Sequence, residues 1–177
     1  MSAIDELLQT IDRLRAPGGC PWDARQTLRS MRPHLLEECH EVLEAVDAGD
    51  AAAVRGELGD LLFNVLLMAR IQRDAGDGGV QASAAAIDAK LRHRHPHVFG
   101  DQATDGSRPD AQARRLAWAE AKRAESDAPD THSRMDGVPG SLPGLLRTDR
   151  QCAKAAADGF DWPDAESVLR KVEEEIA

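Results

Sequence analysis

The 177-residue chain has no tyrosine, and aromatic residues make up only 3% of it. Its abundance of Ala, Leu, Glu and Arg is instead a helix-forming composition. Cysteine is almost as scarce. Cys20, Cys39 and Cys152 are odd in number and lack metal-ligand spacing, so they exclude a disulfide framework or zinc site and read as reduced cytosolic thiols. Positive charge is in deficit, with 22 Lys and Arg against 31 Asp and Glu, a net charge of −9. That balance argues against a general affinity for nucleic acid or for an anionic membrane. No long apolar run is present. The stretch Leu61 to Ala69 is interrupted by Asn64 and is too short to span a bilayer. The opening Met1-Ser2-Ala3-Ile4-Asp5-Glu6 is acidic where a signal peptide is basic. A soluble, cytoplasmic protein is expected. Sustained β-alternation is missing, as is any G-x-x-x-x-G-K-[ST] loop to cradle phosphates.

What the chain does have is helical periodicity, and the expected fold class is all-α. Ile4, Leu7, Leu8, Ile11 and Leu14 form an amphipathic stripe that stops at Pro17-Gly18-Gly19. A second helix opens near Pro33, carries Leu35, Leu36, Cys39, Val42, Leu43 and Val46, and ends at Gly49. Asp50 is a suitable N-cap for a third helix running to about Gly76, with Val54, Leu58, Leu61, Leu62, Val65 and Ile71 as its stripe. A fourth, around Ile87 and Leu91, is halted by Pro96. Residues 100–110 read as a loop, 111–125 as helix, and two further helices follow over roughly 145–157 and 164–177. The Pro- and Gly-rich stretch 126–144 reads as a linker between a first module, 1–125, and a second, 145–177.

Two acidic clusters occupy the second and third helices. Glu37-Glu38-Cys39-His40-Glu41 gives E-E-x-x-E, and Glu57-Leu58-Gly59-Asp60 gives E-x-x-D. Helical spacing puts Glu38 and Glu41 on one face and Glu57 and Asp60 on another. If the helices pack antiparallel through Gly49-Asp50, four carboxylates converge. Such a group raises its own pKa values unless a cation neutralises it. An oxygen-only ligand set suits Mg²⁺, with Mn²⁺ as the alternative. A lone E-E-x-x-E is ordinarily a solvated face; the second acidic pair between apolar residues turns the reading towards a metal site.

Four motifs stand in order: G-C-P-W-D-x-x-Q-T from Gly19, E-E-x-x-E from Glu37, E-L-G-D-L-L-F from Glu57, and R-H-P-H-V-F from Arg94. Together they resemble the MazG family of nucleoside triphosphate pyrophosphohydrolases, over Ile4 to about Lys122 as a first module. The resemblance implies an all-α fold, a dimer whose core is a four-helix bundle, and Mg²⁺-dependent cleavage of a nucleoside triphosphate into monophosphate and pyrophosphate. It implies Glu38, Glu41, Glu57 and Asp60 as metal ligands, with Glu37 in the same motif. Lys90, Arg94 and Lys122 match the family's triphosphate-binding positions, and Trp118 matches a tryptophan near the nucleotide. His93 departs from the pattern, where arginine is usual.

The residues fit that chemistry independently. A metal held by carboxylates neutralises phosphate charge, and Glu41 or Glu37 is the candidate general base. Lys90 and Arg94, four apart on one helical face, could grip the leaving pyrophosphate. His95 and His97 around Pro96 read as turn-fixing or packing residues. Trp22 is read as a core anchor first and a functional residue only secondarily.

The tail repeats the start of the first module. Gly159-Phe160-Asp161-Trp162 echoes Gly19-Cys20-Pro21-Trp22-Asp23. Aligning Glu174-Glu175 on Glu37-Glu38 puts the motif's third glutamate just past Ala177, so the chain is expected to be a shortened form of a two-module protein. Two other readings stay open. One is a catalytically weak nucleotide-binding and dimerisation module serving a missing catalytic half. The other is a di-iron carboxylate bundle, from Glu37-x-x-His40, which lacks the second such motif that fold requires.

Overall fold

Proline and glycine fix the helix ends, and the packing follows from which faces they leave apolar. In the computed structural model, Ser2–Gly100, Ser133 and 135–177 are the described residues, and all regular structure among them is helical. The chain divides into two compact units, Met1–Ala121 and Lys122–Ala177. The first contains α1 (Ala3–Arg15), α2 (Pro21–Arg25), α3 (Arg32–Ala48), α4 (Ala51–Asp74), α5 (Val80–Arg94) and α6 (Pro96–Phe99); the second contains α7 (Gly144–Ala157) and α8 (Ala165–Ile176). The expected loop at 100–110 and helix at 111–125 lie outside the described residues, apart from Gly100. No described helix is long and apolar enough to cross a membrane.

The α3–α4 hairpin is the centre of the first unit. Gly49 closes α3 with φ of 69°, a left-handed conformation that an L side chain adopts only with strain. Asp50 then caps α4, its Oδ1 accepting from the Ala52 and Ala53 amides at 2.9 and 3.1 Å. A two-residue turn with a cap on each side sends 17- and 24-residue helices back along one another. Helix α1 lies against α4, and Ile11, Met31, Leu66 and Leu67 are buried where the two meet the start of α3. Leu7, Leu8, Phe63, Met68, Ile71 and Val80 surround that core.

The G-C-P-W-D-x-x-Q-T segment serves as the joint between α1 and α3. Cys20 N–H donates to the Leu14 carbonyl at 2.8 Å, folding the chain back over the end of α1. Pro21 then starts α2, a short helix that the periodicity reading missed although proline at a first helical position signals it. Gln26, Thr27 and Ser30 knit the next turn: the Thr27 amide donates to Ser30 Oγ at 2.9 Å, and the Ser30 amide to Thr27 Oγ1 at 3.1 Å. Arg15 ties the joint to the far end of α4. Its side chain is 8% exposed and donates to the Asp23 carbonyl at 2.5 Å and to Asp74 Oδ2 at 3.0 Å. Asp12 and Asp74 together also pair with Arg70 and Arg73 of α4.

Trp22 differs from its expected core role. It is 45% exposed, with its ring set edge-on to His34 at 5.5 Å between centroids. The α2 segment is too short to carry it inward, and the core site near Met31 is filled by aliphatic side chains. His95 does fix a turn, its Nδ1 lying 2.7 Å from the Leu91 carbonyl where α5 gives way to α6.

Gly19 provides a direct test of the joint. A Cβ there would overlap the Arg13 and Leu14 carbonyl oxygens of α1, backbone atoms that cannot swing aside. Gly19→Ala is expected to cost about 2–4 kcal/mol, the range of forced local distortion. Gly56→Ala, in open space within α4, is expected to stabilise by about 0.5–1 kcal/mol. Urea unfolding followed by circular dichroism measures both, and equal effects at the two sites would refute this role for Gly19.

Candidate metal centre

The antiparallel hairpin brings one turn of α3 against one turn of α4. Glu38, Glu41 and Glu57 each offer a carboxylate oxygen, and these atoms lie within 4.8 Å of one another. Glu38 and Glu57 are half-buried and Glu41 is exposed, so the group opens to solvent on one side. Asp60 is not one of the three, but its charge reaches Glu38. Partial burial, repulsion from Glu41 and Asp60, a hydrogen bond with Glu41 and repulsion from Glu57 together hold the Glu38 carboxyl above the usual carboxylate range.

That perturbation tests whether the donor set fits a cation. Among the described residues, no lysine or arginine forms a salt bridge with any of the four carboxylates. The oxygen-only set fits a hard divalent ion such as Mg²⁺ or Mn²⁺ and offers nothing that selects zinc or copper.

The remaining predicted residues are placed less closely. Glu37 is exposed and is not part of the converging group, although its neighbour Glu38 is central to it. Lys90 is exposed and Arg94 half-buried in the last turns of α5. That helix packs on α4 and, among the described residues, makes no helix contact with α3. Trp118 and Lys122 lie outside the described residues.

Residues 26–99, which carry both acidic turns and the end of α5, match the MazG nucleotide pyrophosphohydrolase domain. The chain is 42% identical over 177 residues to the nucleoside triphosphate pyrophosphohydrolase of Escherichia coli, covering 99% of this chain and 66% of that protein. The chain belongs to the MazG family. A Thermotoga maritima nucleoside triphosphate pyrophosphohydrolase/pyrophosphatase MazG is 36% identical over 97% of this chain and 64% of its own length. The MazG fold is also found in the crystal structure of a mazG-related protein from Thermotoga maritima, with a TM-score of 0.57 and 29% identity, covering 67% of this chain and 98% of that one. The chain thus spans just under two thirds of these two curated MazG relatives. The all-helical architecture and the family expected from the four motifs are both found.

Proposed function

We propose that the MazG domain of this chain hydrolyses nucleoside triphosphates to nucleoside monophosphate and pyrophosphate, with Mg²⁺ as its cofactor and Mn²⁺ as a working substitute. The observation that carries the reading is the group of three converging carboxylates, with a fourth acting on Glu38, in a domain of this family. Glu38, Glu41, Glu57 and Asp60 would hold the ion. Once bound, it supplies charge neutralisation on the phosphate oxygens and Lewis acidity at phosphorus.

The chain's own residues supply the rest. Hydrolysis consumes one water, breaks the phosphoanhydride bond between the α- and β-phosphates, and releases one proton. Glu41, exposed at the edge of the group, is assigned as the base that takes that proton; Glu37 is the alternative base on the same helix. Lys90 and Arg94, one turn apart on α5, would bind the departing pyrophosphate, which leaves with more charge than the bridging group carried. Trp118 and Lys122 are assigned to the nucleotide on the same footing. The substrate is a free nucleotide rather than nucleic acid, in keeping with the net charge of −9, and the protein acts in the cytoplasm.

A homodimer completes this reading. Leu36, Leu43 and Val46 of α3 and Leu58, Leu62 and Val65 of α4 are all exposed large hydrophobics. A second hairpin laid on them builds a four-helix core. The two-module arrangement, with 1–125 as the MazG module, 126–144 as linker and 145–177 as the start of a second, belongs to the same proposal. A binding and dimerising module with weak catalysis is the competing reading. Pyrophosphate release from a panel of NTPs and dNTPs, with and without Mg²⁺, separates the two. Metal-dependent turnover supports the hydrolase; nucleotide binding without turnover supports the module.

A further inference from the structure

Lys90 and Arg94 stand in the last turns of a helix that tertiary packing holds lightly. No residue of α5 is buried, and helix ends fray where packing is thin. The last four carbonyls of a helix have no partner within it. Pro96 lacks the N–H that would reach back to the Arg92 carbonyl. His95 supplies what proline withholds. Its amide donates to the Arg92 carbonyl at 3.3 Å, and its Nδ1 lies 2.7 Å from the Leu91 carbonyl. A carbonyl only accepts, so Nδ1 is a ring nitrogen that carries hydrogen here.

The four residues of α6 then fold back on that turn. A helix of one turn has no stability of its own, so contacts outside it hold it in place. His95 opens it, its carbonyl accepting from the Val98 and Phe99 amides at 2.9 and 3.0 Å. Arg92 closes it. Its guanidinium carbon lies over the Phe99 ring, 5.0 Å from the centroid, in a cation–π contact. Asp88, one turn earlier on α5, accepts from Arg92 Nε at 2.8 Å and steadies the guanidinium there. The charge of Arg92 is therefore matched within this corner.

Resting on the pyrophosphohydrolase reading above, we propose that Arg92, Phe99 and His95 are positioning residues for the pyrophosphate end of the substrate. They touch no phosphate themselves. By pinning α6 to α5 they keep the last turn wound, and Lys90 and Arg94, four apart, stay on one helical face. Once that turn unwinds, Arg94 leaves the face and the phosphates meet one cation in place of two. Only the fraction of molecules with the turn wound binds pyrophosphate at full strength.

The decisive variant is Phe99→Leu, which removes the ring face without changing charge. It is compared with Arg92→Gln, Arg92→Lys, the Phe99→Leu/Arg92→Gln pair, His95→Ala and His95→Asn. Asparagine can place its amide nitrogen where the histidine Nδ1 stands. Calorimetry in saturating Mn²⁺ measures binding of inorganic pyrophosphate and of a nucleoside monophosphate, and steady-state kinetics follows NTP hydrolysis. Phe99→Leu, Arg92→Gln and His95→Ala are each expected to raise KM and the pyrophosphate dissociation constant about 5-fold. Affinities for Mn²⁺ and for the monophosphate stay within about 2-fold. The paired variant is no weaker than either single one, because both break the same contact, and His95→Asn binds like wild type. A role in stability alone lowers the folded fraction, and with it kcat, while KM and the dissociation constants hold; that result overturns the proposal. So does a loss in Arg92→Gln that Arg92→Lys restores while Phe99→Leu binds normally, which makes Arg92 a direct phosphate ligand. If wild type binds pyrophosphate but cleaves no NTP, the hydrolase reading fails separately and the binding series still decides. Wild type that binds no pyrophosphate overturns the positioning role.

Discussion

Glu38→Gln is expected to cut Mg²⁺-dependent pyrophosphate release by about 10²–10³-fold, the scale seen when one preorganised electrostatic group is removed from a reaction site. The same substitution is expected to raise the melting temperature of the metal-free protein. Both follow from one arrangement. Glu38 sits half-buried among Glu41, Asp60 and Glu57, and its carboxyl is held above the usual range, burial first and the neighbouring charges next. The folded state therefore keeps a proton that the unfolded state has already lost. Stability from this group is fully present below the unfolded glutamate value and is lost as pH rises through the higher folded value. Glutamine removes that loss, so the gap in melting temperature between Glu38→Gln and wild type widens from about pH 4, near the ordinary glutamate value, towards neutrality. Saturating Mg²⁺ reverses the order. An ion that binds only the folded state stabilises wild type by about 2.7 kcal/mol at a hundred times its dissociation constant, and the variant gains little. Asp60→Asn should lose activity comparably and gain less stability, because it acts on Glu38 only through its charge. A variant that melts below wild type without metal, or that releases pyrophosphate at the wild-type rate, would sink the metal-centre assignment.

Much of this site was legible because its residues are local. The spacing of Glu38 with Glu41, and of Glu57 with Asp60, is set by helical repeat alone, and the Gly49-Asp50 turn dictates that the two helices return along each other. Helix ends at Pro17-Gly18-Gly19, Gly49 and Pro96 were legible for the same reason: each residue's own φ preference or missing N–H does the work. What periodicity missed depends on residues far apart. Asp12 meets Arg70 and Arg73 across 58 and 61 positions, and Arg15 meets Asp74 across 59. Any of several charges on α4 could have been the partner, and only the tertiary packing of α1 selects among them. Trp22 was misplaced because its size suggests the core, whereas the short α2 and the aliphatic filling around Met31 leave it at the surface. Asn64 looked like a break in an apolar run, and only its burial shows that a polar group sits where leucine would pack.

Leu43→Glu combined with Leu62→Glu is expected to convert a two-chain species into single chains in sedimentation, with divalent-ion affinity retained. Leu43 is 56% exposed and Leu62 36%, in stripes with Leu36 and Val46 on α3 and with Leu58 and Val65 on α4. At 100° per residue, Leu43 lies about 140° around α3 from Glu38 and Leu62 about 140° around α4 from Glu57, while Val46 and Val65, at about 80°, form the edge of the stripe towards the carboxylates. The surface that would meet a second hairpin is therefore distinct from the surface that would meet the ion. Burying the exposed halves of six aliphatic side chains on each of two copies contributes on the order of 10 kcal/mol. That is comparable with the ~4–15 kcal/mol cost of bringing two molecules together, so the association depends on most of the stripe. Two glutamates per chain place four unpaired carboxylates in the interface, each costing several kcal/mol in desolvation, and the balance turns. Wild type that sediments as a single chain over the micromolar range would rule the dimer out. Loss of ion affinity together with dissociation would instead show that the two surfaces are coupled, with the carboxylate group held in shape by the second copy.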